Sequence, residues 1–574
     1  MTTPLLDRRD VDFLLHDWLQ AGVDRETVDA VLDLSQTLAT DAFLPHFKRN
    51  DVEEPALVDG QVRICPAIGE ALAQYAELGL FSAGFPEDQG GLGLPYLVCA
   101  ASFAFFAAAN VSTAAYPMLT VANARLIATF GSPAQVEAFA RPQIEGRWFG
   151  TMCLSEPQAG SSLADVRTKA TPDGQDALGE RYRLAGNKMW ISGGDQDVSG
   201  NIVHLVLAKV PNADGTLPEG TAGISLFIVP KVLPDGTRND VAVAGLNHKM
   251  GYRGTANCLL NFGERDGAVG WIVGAPGEGL RQMFQMMNEA RIGVGVGAAA
   301  LGYRSHRLAV DYARERLQGR PPGRRSGPPV AIIEHPDVRR MLLQQKAYVE
   351  GALALCLYCA RLVDTAEGSE ADAALLGLLT PVAKTWPSEY GLAANDIAIQ
   401  VHGGYGYTRD FDVEQLWRDN RLNPIHEGTT GVQGMDLVGR KILSDGAGLP
   451  VLAARISRTA KAAEGVPALA VHARALSEAW RSVVATIEVL QGEDRRSALD
   501  NATAFLWAFG HVVVAWQWLD QAVAAADLTD RDLADGKAWA CRFFFECELP
   551  KVDAWLALVA ARSDVASGAP ERIF

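Results

Sequence analysis

The spacing of apolar residues switches twice along this 574-residue chain, and that switching limits the possible folds more than any single motif does. From Asp7 to about Gly146, apolar positions such as Phe13, Leu14 and Trp18, then Val28, Val31, Leu32 and Leu34, recur every three or four residues. That is the period of an amphipathic helix. Between about Phe149 and Val273 the texture becomes short β-branched or aromatic runs, Asn201 to Val210, Gly223 to Val229 and Cys258 to Phe262, separated by Gly, Asp, Asn and Pro. A small antiparallel β domain, closed or sandwiched, is expected there. Helical spacing returns from about Gly279, with an exposed break at Gly319 to Pro329 and a second break at Leu443 to Pro450 that sets off a last Ala-, Val- and Trp-rich segment. The expected order is α, β, α, α.

Composition narrows the function. With 52 Lys+Arg against 68 Asp+Glu the formal net charge is -16, so no global positive field draws phosphates, and no nucleic-acid partner is expected. Residues 451–574 carry 13 Lys+Arg against 16 Asp+Glu, which gives that segment no basic footprint either. A ligand bearing phosphate must therefore be held by a local device. The eight cysteines are sparse and mostly lie in apolar runs, which suits thiols in a reducing, cytoplasmic setting. Cys356 and Cys359 form a CxxC, but inside a helical run with no second ligand pair, so core packing is their expected role. The start MTTPLLDRRDVDF lacks a signal-peptide pattern, and ERIF is no peroxisomal signal. The uncharged stretches Tyr96 to Asn110 and Ala502 to Leu519 contain or adjoin polar residues, so buried helices are expected and membrane insertion is not.

Three segments carry chemistry. Met152 to Ser162 (MCLSEPQAGSS) leads from a strand into a polar loop where amides and hydroxyls can meet a cofactor. Asn187 to Gly194 (NKMWISGG) places Trp190 two residues from Ser192, on the same side of an expected strand, so a flat heterocycle could stack on the indole beside a hydroxyl. Gln400 to Gln433 holds QVHGGYG, whose glycines allow close backbone approach, and IHEGTT, whose Glu in a small-residue setting suits a buried base. No GxGxxG follows a strand, and no HExxH, Walker A or GxSxG is present.

In order and spacing, PEDQGGLG, CLSEPQAGSS, KMWISGG, HKMGYRGTANC, MNEARIGVGVGAAALG, QVHGGYGY and HEGTT resemble the acyl-CoA dehydrogenase family over nearly the whole chain up to about Lys441. The N-terminal DVDFLLHDWLQAG and the extra helical segment look like its enlarged branch, which includes the 3-methylmercaptopropionyl-CoA dehydrogenases. The resemblance implies an α+β multidomain chain. Its parts would be an N-terminal helical arm and α domain (1–146), an antiparallel β-barrel domain (147–273), an α-helical bundle with FAD and catalytic motifs (274–447) and an additional C-terminal α-helical domain (448–574).

It also implies the site. Glu427 would abstract the α-proton of an acyl-CoA while the β-hydrogen leaves as hydride to flavin N5, giving the trans-2-enoyl-CoA. The Glu427 N–H and a ribityl hydroxyl would serve the enolate oxygen. FAD would be held by Met152, Leu154, Ser155, Trp190, Ser192, Arg316, Gln400, Gly403, Gly404, Thr429 and Gly431, in part across a subunit boundary, so a homodimer is expected. Acyl-CoA contacts fall on Ser161, Asn288, Arg291, Glu427 and Gly428. Some members place the base just before the position of Arg291, which here is Ala290, and Glu289 is turned by about 100° from that position. ERLQGR lacks the family's usual aromatic, leaving Arg316 without that neighbour, and His426 stands where Tyr is common, with a possible effect on the pH profile. The electron acceptor implied is an electron-transfer flavoprotein, and the substrate 3-methylthiopropanoyl-CoA or a short-to-medium straight-chain acyl-CoA. The rival readings are an acyl-CoA oxidase and a flavin-containing, DNA-associated alkylation-response protein.

Overall fold

The computed structural model describes residues 3–321, 323–324, 326–492 and 495–574, and the side chains of all of these except 284–287 and 495. Helices lead into a β domain between Phe149 and Ile272, and long helices follow to the C-terminus. The chain forms two compact units: Ala30–Pro95 with Ala109–Ala290, and the residues up to Asp29 with Tyr96–Ala108 and Arg291–Phe574.

The first unit contains a feature the helical reading missed. A hairpin, β1 (Ala56–Val58) and β2 (Gln61–Arg63), turns at Asp59 and Gly60, whose φ values of 51° and 75° are both left-handed. Asp-Gly between short strands is the local signal for such a turn. The main sheet follows, built from β3 (Phe149–Cys153), β4 (Lys169–Asp176), β5 (Gly179–Ser192), β6 (Ile202–Lys209), β7 (Ile224–Pro230), β8 (Val241–Leu246), β9 (Asn257–Phe262) and β10 (Ala268–Ile272). Its order is β10-β7-β6-β4-β5-β9-β8 with β3 beside β6, and β10 also pairs with β5, which closes five strands on themselves. Most pairs are antiparallel as expected, but β3–β6 and β4–β6 are parallel. β3 comes out of a helical turn rather than a hairpin, so no tight turn dictates an antiparallel neighbour. Every residue of β6 and β7 is buried, which explains why both read as mostly apolar runs, broken only by His204, Lys209 and Ser225, instead of alternating ones.

In the second unit the helices Pro336–Ala366 and Glu370–His402 pack along each other. Cys356 and Cys359 lie fully buried on the first as free thiols, with burial pushing both thiol pKa values up, so they serve packing. Gly446, at φ 68°, ends the run before the last segment, whose longest helix is Ala502–Ala525. That helix and Tyr96–Phe130 are long and apolar enough to cross a membrane, yet 89% of each apolar window is buried inside the protein.

A buried ionic cluster ties the N-terminal arm to the last segment. Lys537, fully buried, pairs with Asp10 and with Glu350 (3.2 Å), donates to Gln521 (3.1 Å), and sits 5.3 Å from the Phe13 and Trp518 ring centres. Burial alone would lower the Lys537 pKa, but Asp10 and Glu350 outweigh it and hold the ammonium charged. Lys537→Met should destabilise the fold by about 3–5 kcal/mol, since it strands buried carboxylates without their cation. Urea unfolding checks this, and a loss below about 1 kcal/mol would show that the cluster is not an anchor.

Candidate active site

In the first unit, Met152 is the penultimate residue of β3, and Leu154 and Ser155 follow the strand, all three half-buried. The loop is fixed by a pair that sequence reasoning did not single out. Lys188, fully buried on β5, donates to the Leu154 carbonyl (3.0 Å) and to Glu156 (2.9 Å). Glu156 also accepts from the Arg167 and Thr168 amides (2.7 and 3.0 Å) and the Thr168 hydroxyl (2.6 Å). Burial opposes its ionisation, but Lys188 and these donors win and hold its pKa down to about 2. Glu156 and Lys188 stand 32 residues apart, so no local motif announces the pair.

Trp190 is the conspicuous side chain here. It is 59% exposed, its φ is 67°, and the β5–β9 register shifts between Lys188 and Ile191. The bulge breaks regular strand alternation, so the expected common side for Trp190 and Ser192 does not follow from pleating alone. A bulky residue in left-handed backbone, with its ring left open, is a strained arrangement of the kind found at ligand sites. Ser192 accepts a long bond from Asn257 (3.4 Å). Ser161 is exposed. Glu289 is ion-paired to Arg125 at 2.6 Å, while Ala290 is buried and Asn288 half-buried on the same helix, Gly279–Glu315. Glu289 is thus held by Arg125.

In the second unit, Glu427 is half-buried in left-handed backbone (φ 53°), followed by Gly428 at φ 88°. Lys384, fully buried on the helix Glu370–His402, donates to the carbonyls of Asn423 (2.8 Å) and Gly428 (2.7 Å), and Gln433 donates to the Glu427 carbonyl (2.9 Å). These bonds set the turn. Among the described residues, the Glu427 N–H has no hydrogen-bond partner. Burial raises the Glu427 pKa, moderated by the positive charges of Arg291 and Lys384. Arg291 is only 4% exposed and bonds Asp436 at 3.0 Å, so it stands as a fixed charge near the base. Burial also lowers the Lys384 pKa to about 8, with Glu427 and Glu389 acting against that fall.

His426 differs from expectation. Burial, aided by Lys384, pushes its pKa down to about 3, and its Nε2 lies 2.9 Å from Asn423 Oδ1. That direction favours the neutral imidazole near neutral pH and argues against a part for His426 in the pH profile. Asn423 in turn donates to Asn420 (2.8 Å), which donates to Asn395 (2.6 Å) and to the Ala298 carbonyl (3.0 Å). This buried amide chain anchors RDNRLNPIHEG to neighbouring helices, and it reads in sequence only as polar residues in a turn.

Arg316 has an aromatic neighbour other than the one missing from ERLQGR: Tyr405 of QVHGGYGY, with the guanidinium 5.7 Å from the ring centre. Gln400, Gly403 and Gly404 are exposed nearby in sequence, and a Cβ built on either glycine would meet nothing within 4 Å. Thr429 caps the helix Thr430–Met435, accepting from the Val432 amide (3.3 Å), and Gly431 is half-buried beside it. That helix rests on the last segment: a Cβ on Gly434 would come within 2.9 Å of the Ala502 carbonyl. Taken each within its own unit, these residues suit parts of a flavin nucleotide: in the first, Trp190 offers an open ring face, and in the second the glycines offer an uncrowded backbone and Arg316 a cation for phosphate.

Comparison with known proteins defines the class and then the family. Successive segments match the acyl-CoA dehydrogenase N-terminal domain (38–147), middle domain (151–264) and C-terminal domain (277–443), followed by an acetyl-CoA dehydrogenase C-terminal-like domain (452–570). These are domains of oxidoreductases acting on acyl-CoA. The chain is 36% identical over 504 residues to 3-methylmercaptopropionyl-CoA dehydrogenase of Ruegeria pomeroyi, covering 85% of this chain and 83% of that one. It is 31% identical to a butyryl-CoA dehydrogenase of Syntrophomonas wolfei over 99% of both. The crystal structure of Caenorhabditis elegans ACDH-11 in complex with C11-CoA shares the fold, with a TM-score of 0.84, 21% identity and coverage of 100% of this chain and 96% of that one. The chain belongs to the acyl-CoA dehydrogenase family, whose members depend on FAD.

Proposed function

We propose that the protein oxidises the Cα–Cβ bond of an acyl-CoA thioester to the trans-2-enoyl-CoA, with Glu427 as the base. The observation that carries this is the Glu427 turn, in which a carboxylate of raised pKa and its own unpartnered N–H occupy one left-handed residue. A thioester α-proton is weakly acidic, so the base must be strong enough near neutral pH and held against it. Burial supplies the strength, and Lys384 with Gln433 supplies the placement. As negative charge moves to the thioester oxygen, the Glu427 N–H is a preorganised donor for it. Arg291 and Lys384 limit the rise in pKa and so keep part of the carboxyl ionised.

FAD, when bound, supplies the two-electron acceptor for the hydrogen leaving Cβ. We assign its isoalloxazine contacts to Met152, Leu154, Ser155, Trp190 and Ser192, its pyrophosphate to Arg316, and its adenosine half to Gln400, Gly403, Gly404, Thr429 and Gly431. Ser161, Asn288, Arg291 and Gly428 are the proposed acyl-CoA contacts. The similarity to 3-methylmercaptopropionyl-CoA and butyryl-CoA dehydrogenases supports 3-methylthiopropanoyl-CoA or a short-to-medium straight chain as substrate. An electron-transfer flavoprotein is the proposed acceptor and a homodimer the proposed state. The purified protein should be yellow and bleach anaerobically with one or more of these acyl-CoAs. Hydrogen peroxide formed in air at the turnover rate would reassign it as an oxidase, and a folded, colourless protein that takes up no FAD would overturn the reading.

A further inference from the structure

The N-terminal arm, the helices Pro336–Ala366 and Glu370–His402 and the last helical segment line a partly open cavity of about 260 Å³ that shares no residue with the Glu427 turn or the proposed FAD contacts. Its floor is apolar: Trp516 is 1% and Leu362 4% exposed. Tyr358 stands between Trp18 and Trp516, with ring centres 5.9 and 5.2 Å away and planes at 35° and 82°. Aromatic surface therefore faces the cavity in more than one orientation.

The polar groups are unevenly committed. Arg455 is paired with Asp372 at 3.0 Å. Each oxygen of Asp520 is taken, one by the Trp18 indole N–H (2.8 Å) and the other by the Thr459 hydroxyl (2.6 Å). Among the described residues, the side chains of Arg361 and Arg458 have no ion pair or hydrogen bond, and neither does the Tyr358 hydroxyl. Unpaired surface arginines are ordinary singly. Here two, Arg361 on the helix Pro336–Ala366 and Arg458 on the last segment, line one aromatic cavity beside a third, Arg455, so positive charge is gathered at one place on an acidic chain.

We propose that this cavity is a second binding site, for a small aryl anion: one aromatic ring carrying a carboxylate or phosphate. Guanidinium groups match the planar, paired oxygens of both anions, and the indole and phenol rings offer stacking faces. The volume sets the size. It falls below the range of about 300–1,000 Å³ typical of drug-sized ligands, which leaves room for one ring and its charged group.

Calorimetric titration of the flavin-loaded protein with phenyl phosphate, benzoate, inorganic phosphate and phenol tests this. Phenyl phosphate or benzoate should bind saturably at one site, and whichever binds tighter identifies the anion. Inorganic phosphate and phenol should each bind at least about tenfold more weakly than the preferred aryl anion, since each lacks half of the recognised chemistry. The double variant Arg361→Gln/Arg458→Gln should weaken the aryl anion by at least about tenfold while leaving flavin content and anaerobic reduction by acyl-CoA unchanged. No saturable heat with either aryl anion, equal affinity in the double variant, or phenol binding as tightly as phenyl phosphate would each overturn the proposal.

Discussion

Glu427→Gln should keep its flavin and its fold while losing turnover by on the order of 10⁴-fold, the upper end of what a single general base contributes. The substitution preserves shape and leaves the backbone N–H in place, so only proton abstraction is removed. Stability gives an independent check on the same carboxyl. Its pKa is raised in the folded protein above the ordinary 4.5, so folding favours the protonated form. The cost of burying the ionised form is absent below that ordinary value, grows as pH rises towards the folded pKa, and is complete above it. Glutamine carries no charge, so at neutral pH the variant should melt at the same temperature as the parent or higher. A variant that turns over at near-parental rate would remove Glu427 from the mechanism, and one that loses both flavin and folding would show that the side chain is structural.

How much of this was legible beforehand differs from residue to residue. Glu427 could be picked out because a base in this family sits in a contiguous motif, and HEGTT is local. The sheet was legible where burial is complete on both faces, since β6 and β7 are then mostly apolar runs. What stayed hidden depends on residues distant in sequence. Lys188 reads as a strand lysine, yet it is fully buried against Glu156. Tyr405 lies 89 residues from Arg316, so their ring–guanidinium contact is legible in neither segment alone. His426 was assigned a possible titration because an imidazole's ordinary pKa is near neutral, and only its burial reveals otherwise. Lys537 looks like any charged residue on an amphipathic helix, and its partner Asp10 lies almost the whole chain away.

Lys384 belongs to the same hidden group, and replacing it should have the second-largest effect on turnover. Its ammonium bridges the carbonyls of Asn423 and Gly428, which flank the base on either side, from a helix that also carries Glu389, the acceptor of the Thr430 hydroxyl. Lys384→Met fills similar space but leaves two carbonyls without their donor, at about 1–3 kcal/mol each if they stay dry. The turn would relax to avoid that cost, and a shift of roughly 1 Å in a catalytic group can lower the rate about 10²-fold. A purely structural lysine would do no more. This one also acts on the base through charge: Lys384 lowers the Glu427 pKa, so removing it should move the acid limb of the kcat/KM profile to higher pH. The parent should show a further change on the alkaline side, as Lys384 loses its proton near its lowered pKa of about 8, and Lys384→Met should lack it. Lys384→Arg keeps the charge and should keep the acid limb near its parental position even if turnover falls, because the larger fork does not reproduce both bonds. An unmoved acid limb in Lys384→Met would reduce Lys384 to a structural tie. A shifted limb that Arg restores would show that the protein sets the strength of its base partly through a buried cation bonded to the turn's backbone.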